Sequence, residues 1–352
     1  MSDTNTSTTA VAIDPALKEL VEDNDTGEIS KKRMLSEAAD LKQYEAKDFD
    51  TDHVVTAKVE HAEALAATGG LNDVPTEIVE QLRAKVATIP KESFNIEPAL
   101  KFGFTYDELL CNFLRWSQKD EDMTAHRYNI DKAFRRLEEF GKFFTKYAAF
   151  YNEPLVPEVC VQSLNMLGFV DDVGGFGHDG FGRTVVNFSV VDLPLTRPDV
   201  KAEIKKKKED GTMHIEFVRA YTYLCFVIMR DPASARQGSV FLCDYGFMGM
   251  SVASSLQSVM GGKLKKVMGK LFHGTCPIKV KSIIMLNSPW WMRMMIAVAR
   301  VFVSSKIMGR MHVLTDDHTK LVKYFGGIEH VPVTYREGLQ GLKPTSGATK
   351  KK

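Results

Sequence analysis

Four short runs rich in β-branched residues alternate with segments of helical periodicity in the C-terminal half of the chain. The runs are "GRTVVNFSVVD", "GSVFLCDY", "KVKSIIML" and "RMHVLT", and turn residues bound each of them, as is typical of strands. Helices are predicted between them at 214–230, 251–272 and 290–302. Strands that alternate with helices form a sheet with crossover connections, so this pattern predicts an α/β fold.

The chain before these runs is predicted to be helical. "YDELLCNFLRWSQ" places Leu109, Leu110, Phe113 and Leu114 on one face, and "NIDKAFRRLEEFGKFFTKY" and "PTEIVEQLRAKVATI" have similar spacing. We therefore expect four parts: a disordered acidic N-terminus at 1–50, a helical subdomain at 51–150, an α/β domain at 155–340 and a flexible basic tail at 341–352.

Composition excludes several classes of protein. The 44% apolar and 26% charged residues are globular values, and a net charge of +1 gives no reason to expect nucleic-acid binding. No apolar run is long enough to span a membrane, and "MSDTNTSTTA" lacks the basic and apolar regions of a secretory signal. The 5 cysteines are odd in number and form no CxxC pair, which indicates reduced thiols in the cytosol.

Two motifs that suggest cofactor or catalytic sites do not fit their context. Gly175, Gly177 and Gly180 match a dinucleotide-binding pattern, but a strand follows them where that motif needs a helix, which favours a hairpin turn around Asp179-Gly180. Ser251 in "GMSVA" lacks the second glycine of a nucleophile elbow, so a helix N-cap is the better interpretation.

A possible metal site is also incomplete. His312, Asp316, Asp317 and His318 lie close together in the sequence, but no second cluster completes a tetrahedral set of ligands. We therefore predict that the chain is not an enzyme and holds neither a metal nor a cofactor.

The segment "NSPWWMRMMIAVARVF" is apolar nearly all round. Between Trp290 and Val303 its only polar side chains are Arg293 and Arg300. Such a helix is buried or faces lipid, yet its length of roughly 21 Å is too short for a bilayer core of about 30 Å. The segment is therefore expected to contact apolar partners without crossing a membrane.

Four basic residues are predicted to converge near the start of the third strand. Lys279 and Lys281 are two apart and point to the same side of a strand, and Lys306 and Arg310 share a face if their turn is helical. A helix that starts at Pro289 in a right-handed crossover runs back toward the beginning of that strand. An anion site is then as well supported as the alternative, in which Lys306 and Arg310 only complement a helix C-terminus at about 0.3–1 kcal/mol each.

Several motifs, taken in order, resemble the CRAL-TRIO family of lipid-binding proteins, in particular its tocopherol-transfer and retinaldehyde-binding members. They are "NFLRW", "NIDKAFRRLEEF", "DGFGRTVVNF", "CPIKVKSIIMLNSPWW", "VFVSSKIMGRMHVL" and "VPVTYREGL", and they span roughly residues 90–340. Two positions depart from the family pattern: Ser117 stands where a second arginine is common, and Thr334 where a glutamate is usual.

The resemblance implies a helical bundle packed on an α/β domain, whose mixed sheet floors an apolar cavity closed by a gate helix. The segment after Asn287-Ser288-Pro289 would be that gate, contacting the ligand when closed and a membrane when open. Its membrane contacts would be Trp290, Trp291, Met294, Met295 and Phe302. The cavity lining would include Phe188, Phe241, Cys243, Ile278 and Ile283.

The resemblance also implies a phosphoinositide site, because Lys279, Lys281, Lys306 and Arg310 match basic positions of members that bind these lipids. We expect a protein that takes up a hydrophobic small molecule or phospholipid and transfers or presents it at phosphoinositide-containing membranes. The alternative is a lipid-sensing adaptor that docks a protein partner without net transfer. Either would be a cytoplasmic monomer that associates reversibly with membranes.

Overall fold

The computed structural model describes residues 74–118, 128–169, 177–191, 193–194, 197–246, 248–292, 308–314, 318–336 and 339. The disorder predicted at 1–50 and the flexible tail predicted at 341–352 lie outside these residues. Most of the segment predicted as a gate, after residue 292, also lies outside them.

Helices dominate the described chain before the first strand. They are α1 Thr76–Val86, α2 Glu97–Phe102, α3 Tyr106–Ser117, α4 Ile130–Lys146 and α5 Pro157–Met166, with short 3-10 turns at Lys91–Ser93 and Ala148–Tyr151. A capping box starts α3: the Thr105 hydroxyl accepts from the Glu108 backbone N–H, and the Glu108 carboxylate accepts from that of Thr105. The three helices predicted in this part are confirmed.

The sheet consists of β1 Thr184–Ser189, β2 Ser239–Asp244, β3 Val280–Leu286 and β4 Met311–Val313, in the order β1-β2-β3-β4. All four predicted strands are confirmed. The expected mixed sheet is wrong for the described strands, because every neighbouring pair is parallel. A long crossover connection returns the chain to the same end of the sheet before each new strand, as parallel pairing requires.

Helices form the first two crossovers and follow β4. Between β1 and β2 lie α6 Pro198–Glu209, α7 Thr212–Arg230 and α8 Pro232–Gln237; between β2 and β3 lie α9 Met250–Met260, α10 Gly262–Gly269 and a π-helix Lys270–Thr275; after β4 come α11 Thr319–Phe325, a 3-10 turn Ile328–His330 and α12 Val333–Arg336.

Two details of the predicted helices are wrong. The single helix expected at 251–272 is interrupted at Gly261, whose φ of +53° is one that residues with a side chain rarely adopt. Ser251 lies inside the first turn of α9 and not at its cap position. The predicted turn around Asp179-Gly180 is confirmed, since an Asp179 carboxylate oxygen accepts from the backbone N–H groups of Phe181 and Arg183.

The two faces of the sheet pack into separate hydrophobic clusters. Val186 belongs to a large cluster that also contains Phe140 of α4 and Phe226 of α7. Val185 points the other way, into a smaller cluster with Phe325 of α11. The N-terminal helices therefore share one core with the crossover side of the sheet. No described helix has both the length and the apolar character needed to span a bilayer.

Candidate functional site

One face of the sheet carries apolar side chains that are not fully buried. Phe188, Cys243 and Met285 lie in register across β1, β2 and β3. Phe241 and Ile283 lie in register with each other, two residues nearer the start of β2 and β3. Side chains alternate along a strand, so these residues share the crossover face. Met285 is buried at 7% exposure, whereas the other four keep part of their surface accessible.

Four of the five predicted lining residues thus lie together on this face. The fifth, Ile278, precedes β3 and is buried in the large cluster at 6% exposure. Alternation along a strand predicts which face of the sheet a side chain occupies. Ile278 lies before β3 begins, so alternation does not predict its direction.

Aromatic rings surround the same face. The Phe169 ring lies 5.3 Å from that of Phe188 and 6.0 Å from that of Tyr221 on α7. The Tyr245 ring, just after β2, lies 6.2 Å from that of Phe188. The Phe272 ring of the π-helix lies 5.1 Å from the Phe241 ring and 6.1 Å from the Tyr221 ring, measured between ring centroids. These rings and the accessible strand residues bound what we call the recess.

Three polar groups at the recess are strongly desolvated yet still accessible. Burial raises the pKa of the Cys243 thiol to about 12. Burial also raises the pKa of the Tyr221 and Tyr245 phenols, and nearby thiols, Cys243 among them, raise it further. All three residues keep accessible surface. Protein therefore encloses these three groups largely but not completely.

Sequence reasoning missed both tyrosines. Tyr245 could have been found, because it continues the alternation of Phe241 and Cys243 by one further step. Tyr221 could not, because α7 is apolar on nearly every side and its periodicity does not indicate which side meets the sheet.

Three of the four basic residues predicted to converge lie at the amino end of β3. The Arg310 guanidinium donates a hydrogen bond from Nη1 to the Val280 carbonyl oxygen. A Cβ placed on Gly238 would lie 2.7 Å from Lys281 Cγ and 3.1 Å from Lys279 Cβ, so both lysine stems flank the same glycine. The structure therefore brings Lys279, Lys281 and Arg310 together.

The local geometry differs from the prediction in two respects. Arg310 lies in a turn between the helical residue Met308 and β4, so Arg310 itself is not helical, and the face that it was predicted to share with Lys306 lies outside the described residues. The β2–β3 register shifts so that Ser239 pairs with Val280 and Val240 with Ser282, which leaves Lys281 as the extra residue of a bulge. Lys306 lies outside the described residues.

A hydrogen-bonded network that the sequence did not reveal joins the carboxyl ends of β2 and β3. Asn287 Nδ2 donates to Asp244 Oδ1 at 2.8 Å, and the Tyr335 hydroxyl donates to Asp244 Oδ2 at 3.0 Å. His318 Nε2 lies 3.0 Å from Asn287 Oδ1. Because that amide oxygen can only accept, Nε2 of His318 carries the proton. Asn287 has a φ of +48°, the only positive value among described non-glycine residues.

The first residues of the predicted gate follow this network directly. Trp290 is 74% exposed, whereas Trp291 is half-buried. Met294, Met295 and Phe302 lie outside the described residues. An apolar side chain as large as that of Trp290 is unusual at such exposure, and indole rings favour membrane interfaces because they combine an apolar body with one N–H donor.

Two of the described histidines make structural contacts. His178 Nε2 and the Thr184 hydroxyl both hydrogen-bond the Asp231 carboxylate. The His312 ring packs on Tyr324 with centroids 4.6 Å apart. Within the described ranges, no group of three or more potential metal-binding side chains occurs.

Comparison with known proteins finds one family model that matches part of the chain. The model of the CRAL/TRIO domain matches residues 176–335, a range that contains all four strands and the residues of the recess from Phe188 onward. Among similar solved structures is the "Crystal structure of Sfh5", 16% identical, with an alignment that covers 80% of this chain and 89% of that chain at a TM-score of 0.39. Similarity at that level supports no conclusion about this chain. No curated protein sequence matches the chain.

Proposed function

Because the chain carries a CRAL/TRIO domain at residues 176–335, in agreement with the resemblance of its motifs, we propose that it binds a hydrophobic small molecule or phospholipid and exchanges it at membranes. The family is in general one of lipid-binding and lipid-transfer proteins. The observation that carries the proposal is the recess: an aromatic-lined sheet face whose side chains remain accessible although protein surrounds them.

The recess has the chemical character of a lipophile site. Ligand pockets are mostly apolar concavities with a few polar groups, and the recess combines phenylalanine rings with two phenols and a thiol. Apolar surface that a bound ligand removes from water contributes roughly 25 cal/mol per Å². Filling the recess with a lipophile would therefore be favourable without any charged contact.

Vesicle-to-vesicle transfer tests this proposal. Donor vesicles would contain parinaryl alcohol, a fluorescent long-chain polyene, and acceptor vesicles would contain a quencher. We expect the protein to accelerate exchange, and Cys243→Phe, which adds a ring inside the recess, to abolish the acceleration. Val159→Phe is the matched control, because Val159 lies on α5 and is 52% exposed.

The same assay separates transfer from the alternative, a lipid-sensing adaptor. An adaptor binds the polyene, and loses that binding in Cys243→Phe, but does not accelerate exchange between vesicles. Failure of the wild-type protein both to bind and to transfer the polyene would contradict the proposal.

We also propose that Lys279, Lys281, Lys306 and Arg310 bind a phosphoinositide headgroup. The proximity of the three described cations supports this. Charge-assisted hydrogen bonds to a multiply charged phosphate contribute about 1.5–3 kcal/mol each, whereas ordinary anionic lipid offers about 1 kcal/mol per basic residue without geometric preference.

The test is binding to vesicles that contain either phosphatidylinositol bisphosphate or phosphatidylserine at equal surface charge. Replacing Lys279 and Arg310 together by alanine should remove the preference for phosphoinositide while polyene binding persists. Lys205→Ala with Lys206→Ala, which removes two exposed charges from α6, is the matched control and should keep the preference. If the Lys279 and Arg310 double variant loses the polyene yet keeps the preference, these residues serve the recess and the headgroup site is wrong.

A further inference from the structure

Arg136 on α4 is a half-buried cation without a countercharge among the described residues. Its Nη2 donates to the Cys276 carbonyl oxygen at 2.9 Å, and its Nε is fully enclosed without a hydrogen-bond partner. No carboxylate of the described chain forms an ion pair with this guanidinium. Glu139, three residues further along α4, pairs with Lys270 at 3.7 Å instead. The side chain therefore lies between the helical subdomain and the chain that enters β3, with its positive charge uncompensated.

Other half-buried arginines have more partners. Arg183 Nε pairs with the Asp179 carboxylate at 2.6 Å, and Arg219 donates to three backbone carbonyl oxygens in the range 150–154. Burial lowers the pKa of Arg136 to about 10, as expected for a cation that loses water and gains no anion. Water can accept a hydrogen bond from an accessible N–H, but it supplies no countercharge. An arginine is rarely buried unless an anion pairs with it, so Arg136 indicates an anion that the protein does not itself provide in the described chain.

A second cation contacts the same aromatic ring as Arg136. Lys132 Nζ and Arg136 Cζ each lie 4.5 Å from the centroid of the Trp116 ring, near the end of α3. The two charges are thus within twice that distance of each other, and they are four residues apart on α4, where like charges repel. Contact with the indole ring stabilises each cation but neutralises neither. We call Trp116, Lys132 and Arg136 the Trp116 cluster.

We propose that the Trp116 cluster binds a phosphate group, which belongs either to a soluble phosphate or to a lipid headgroup. A phosphate has several strong acceptor oxygens and up to two negative charges, so one group can accept hydrogen bonds from Arg136 and Lys132 together. Arg136 Nη1 can reach it, because this nitrogen has no partner in the described chain and is not among its fully enclosed unpaired atoms. The inference does not depend on ligand exchange at the recess.

Binding of the anion would join the two parts of the protein. Arg136 would contact the phosphate through Nη1 while Nη2 donates to the Cys276 carbonyl oxygen, directly after the π-helix and before β3. A ligand that binds only the folded chain raises its melting temperature. Inorganic phosphate at ten times its Kd should therefore raise the melting temperature by about 2–5 °C, whereas sodium chloride at equal ionic strength should not.

Substitutions of Arg136 test whether its charge is responsible. Arg136→Gln should abolish the rise in phosphate, although its amide can still donate to the Cys276 carbonyl oxygen. Without phosphate its melting temperature should be at least that of the wild type, since burial of an unpaired charge no longer opposes folding. Arg136→Lys keeps the charge and should retain part of the rise. Arg135→Gln is the matched control: it removes the same charge from the neighbouring exposed position of α4 and should keep the full rise.

A vesicle assay distinguishes the two sources of phosphate. Vesicles that contain phosphatidic acid, which has an exposed phosphate monoester, would be compared with phosphatidylserine vesicles of equal surface charge. If the lipid is the source, the wild type and Arg135→Gln should prefer phosphatidic acid and Arg136→Gln should not. This result would support the proposal even if inorganic phosphate produced no rise, and failure of both probes would overturn it.

Three other results would also overturn the proposal. The first is an equal rise in Arg136→Gln, or a rise in chloride as large as that in phosphate. The second is a melting temperature of Arg136→Gln that is lower by the same amount with and without phosphate, since Arg136 would then serve packing alone. The third is loss of the rise in the Lys279→Ala and Arg310→Ala double variant, which would assign the anion to the headgroup site proposed above. None of these results bears on polyene binding, which tests the recess separately.

Discussion

Asn287 is the position at which a single substitution should most clearly reveal how the structure holds the base of the predicted gate. Its side chain joins Asp244 at the end of β2 to His318 beyond β4, and its backbone has the left-handed φ of +48°. Asparagine tolerates this conformation better than most residues with a side chain, because its short polar group can hydrogen-bond locally. We predict that Asn287→Ala destabilises the fold through both features, and Asn287→Gly through only one.

The expected loss in the free energy of unfolding follows from the two hydrogen bonds and the backbone φ angle of Asn287. Loss of the bond to the Asp244 carboxylate removes about 1.5–3 kcal/mol, and loss of the bond to His318 about 0.5–1.5 kcal/mol. Because Asn287 is only half-buried, the lower halves of these ranges apply. Alanine adds about 1 kcal/mol for a positive φ that glycine adopts without strain. We therefore expect a loss of about 3–4 kcal/mol for alanine and about 2–3 kcal/mol for glycine.

Urea denaturation followed by circular dichroism measures the free energy of unfolding of both variants. Asn165→Ala on the exposed side of α5 controls for loss of an amide and should change it by less than about 0.5 kcal/mol. If alanine and glycine prove equally destabilising, the backbone angle imposes no strain. If both change the free energy of unfolding by no more than the control does, the network at the ends of β2 and β3 does not stabilise the fold.

Three further substitutions test other features. Trp290→Ala should weaken binding to neutral vesicles without lowering the melting temperature, since Trp290 is 74% exposed, and unchanged binding would place the membrane contact elsewhere. Gly238→Ala should lower the free energy of unfolding by at least about 1–2 kcal/mol, because φ is +83° and the new Cβ would lie 2.5 Å from the Lys279 carbonyl oxygen; a neutral result would refute the close packing there. Burial, and secondarily Lys208, lowers the pKa of His214, so the unfolded chain binds the extra proton more readily than the folded one. Stability that is complete above pH about 6.5 should fall on acidification, and less steeply in His214→Phe; an identical pH dependence would exclude this residue as the cause.

The strands could be predicted because burial within a sheet selects β-branched residues in a way that the sequence displays directly. Val185 and Val186 of β1 face opposite clusters, and a parallel strand covered on both sides has the continuous apolar run that was observed. The parallel arrangement could also have been derived, because each connection contains a helix. The expectation of a mixed sheet came from the family resemblance and was wrong for the described strands.

The sites were less predictable, because they depend on contacts between distant parts of the chain. Placement of Lys279 and Lys281 on one side followed from strand periodicity, but the bulge at Lys281 depends on how Gly238 packs against β3. The network around Asn287 joins residues from β2, β3 and the chain beyond β4, and no local pattern brings those together. Tyr221 illustrates the same limit on a helix that is apolar nearly all round.

The direction of β3 relates the proposed contacts to one another. Arg310 and the two lysines lie at its amino end, and Asn287 and Trp290 follow its carboxyl end. A strand of 7 residues separates these ends by roughly 23 Å, well beyond the Debye length of about 8 Å at physiological ionic strength. A headgroup bound at the cations and an apolar contact at Trp290 are therefore energetically separate, and their contributions to membrane binding should add. Ile283 lies between the two ends, on the face that borders the recess. A membrane that engages both ends would thus lie alongside the recess, which gives the ligand a short path between the protein and the bilayer.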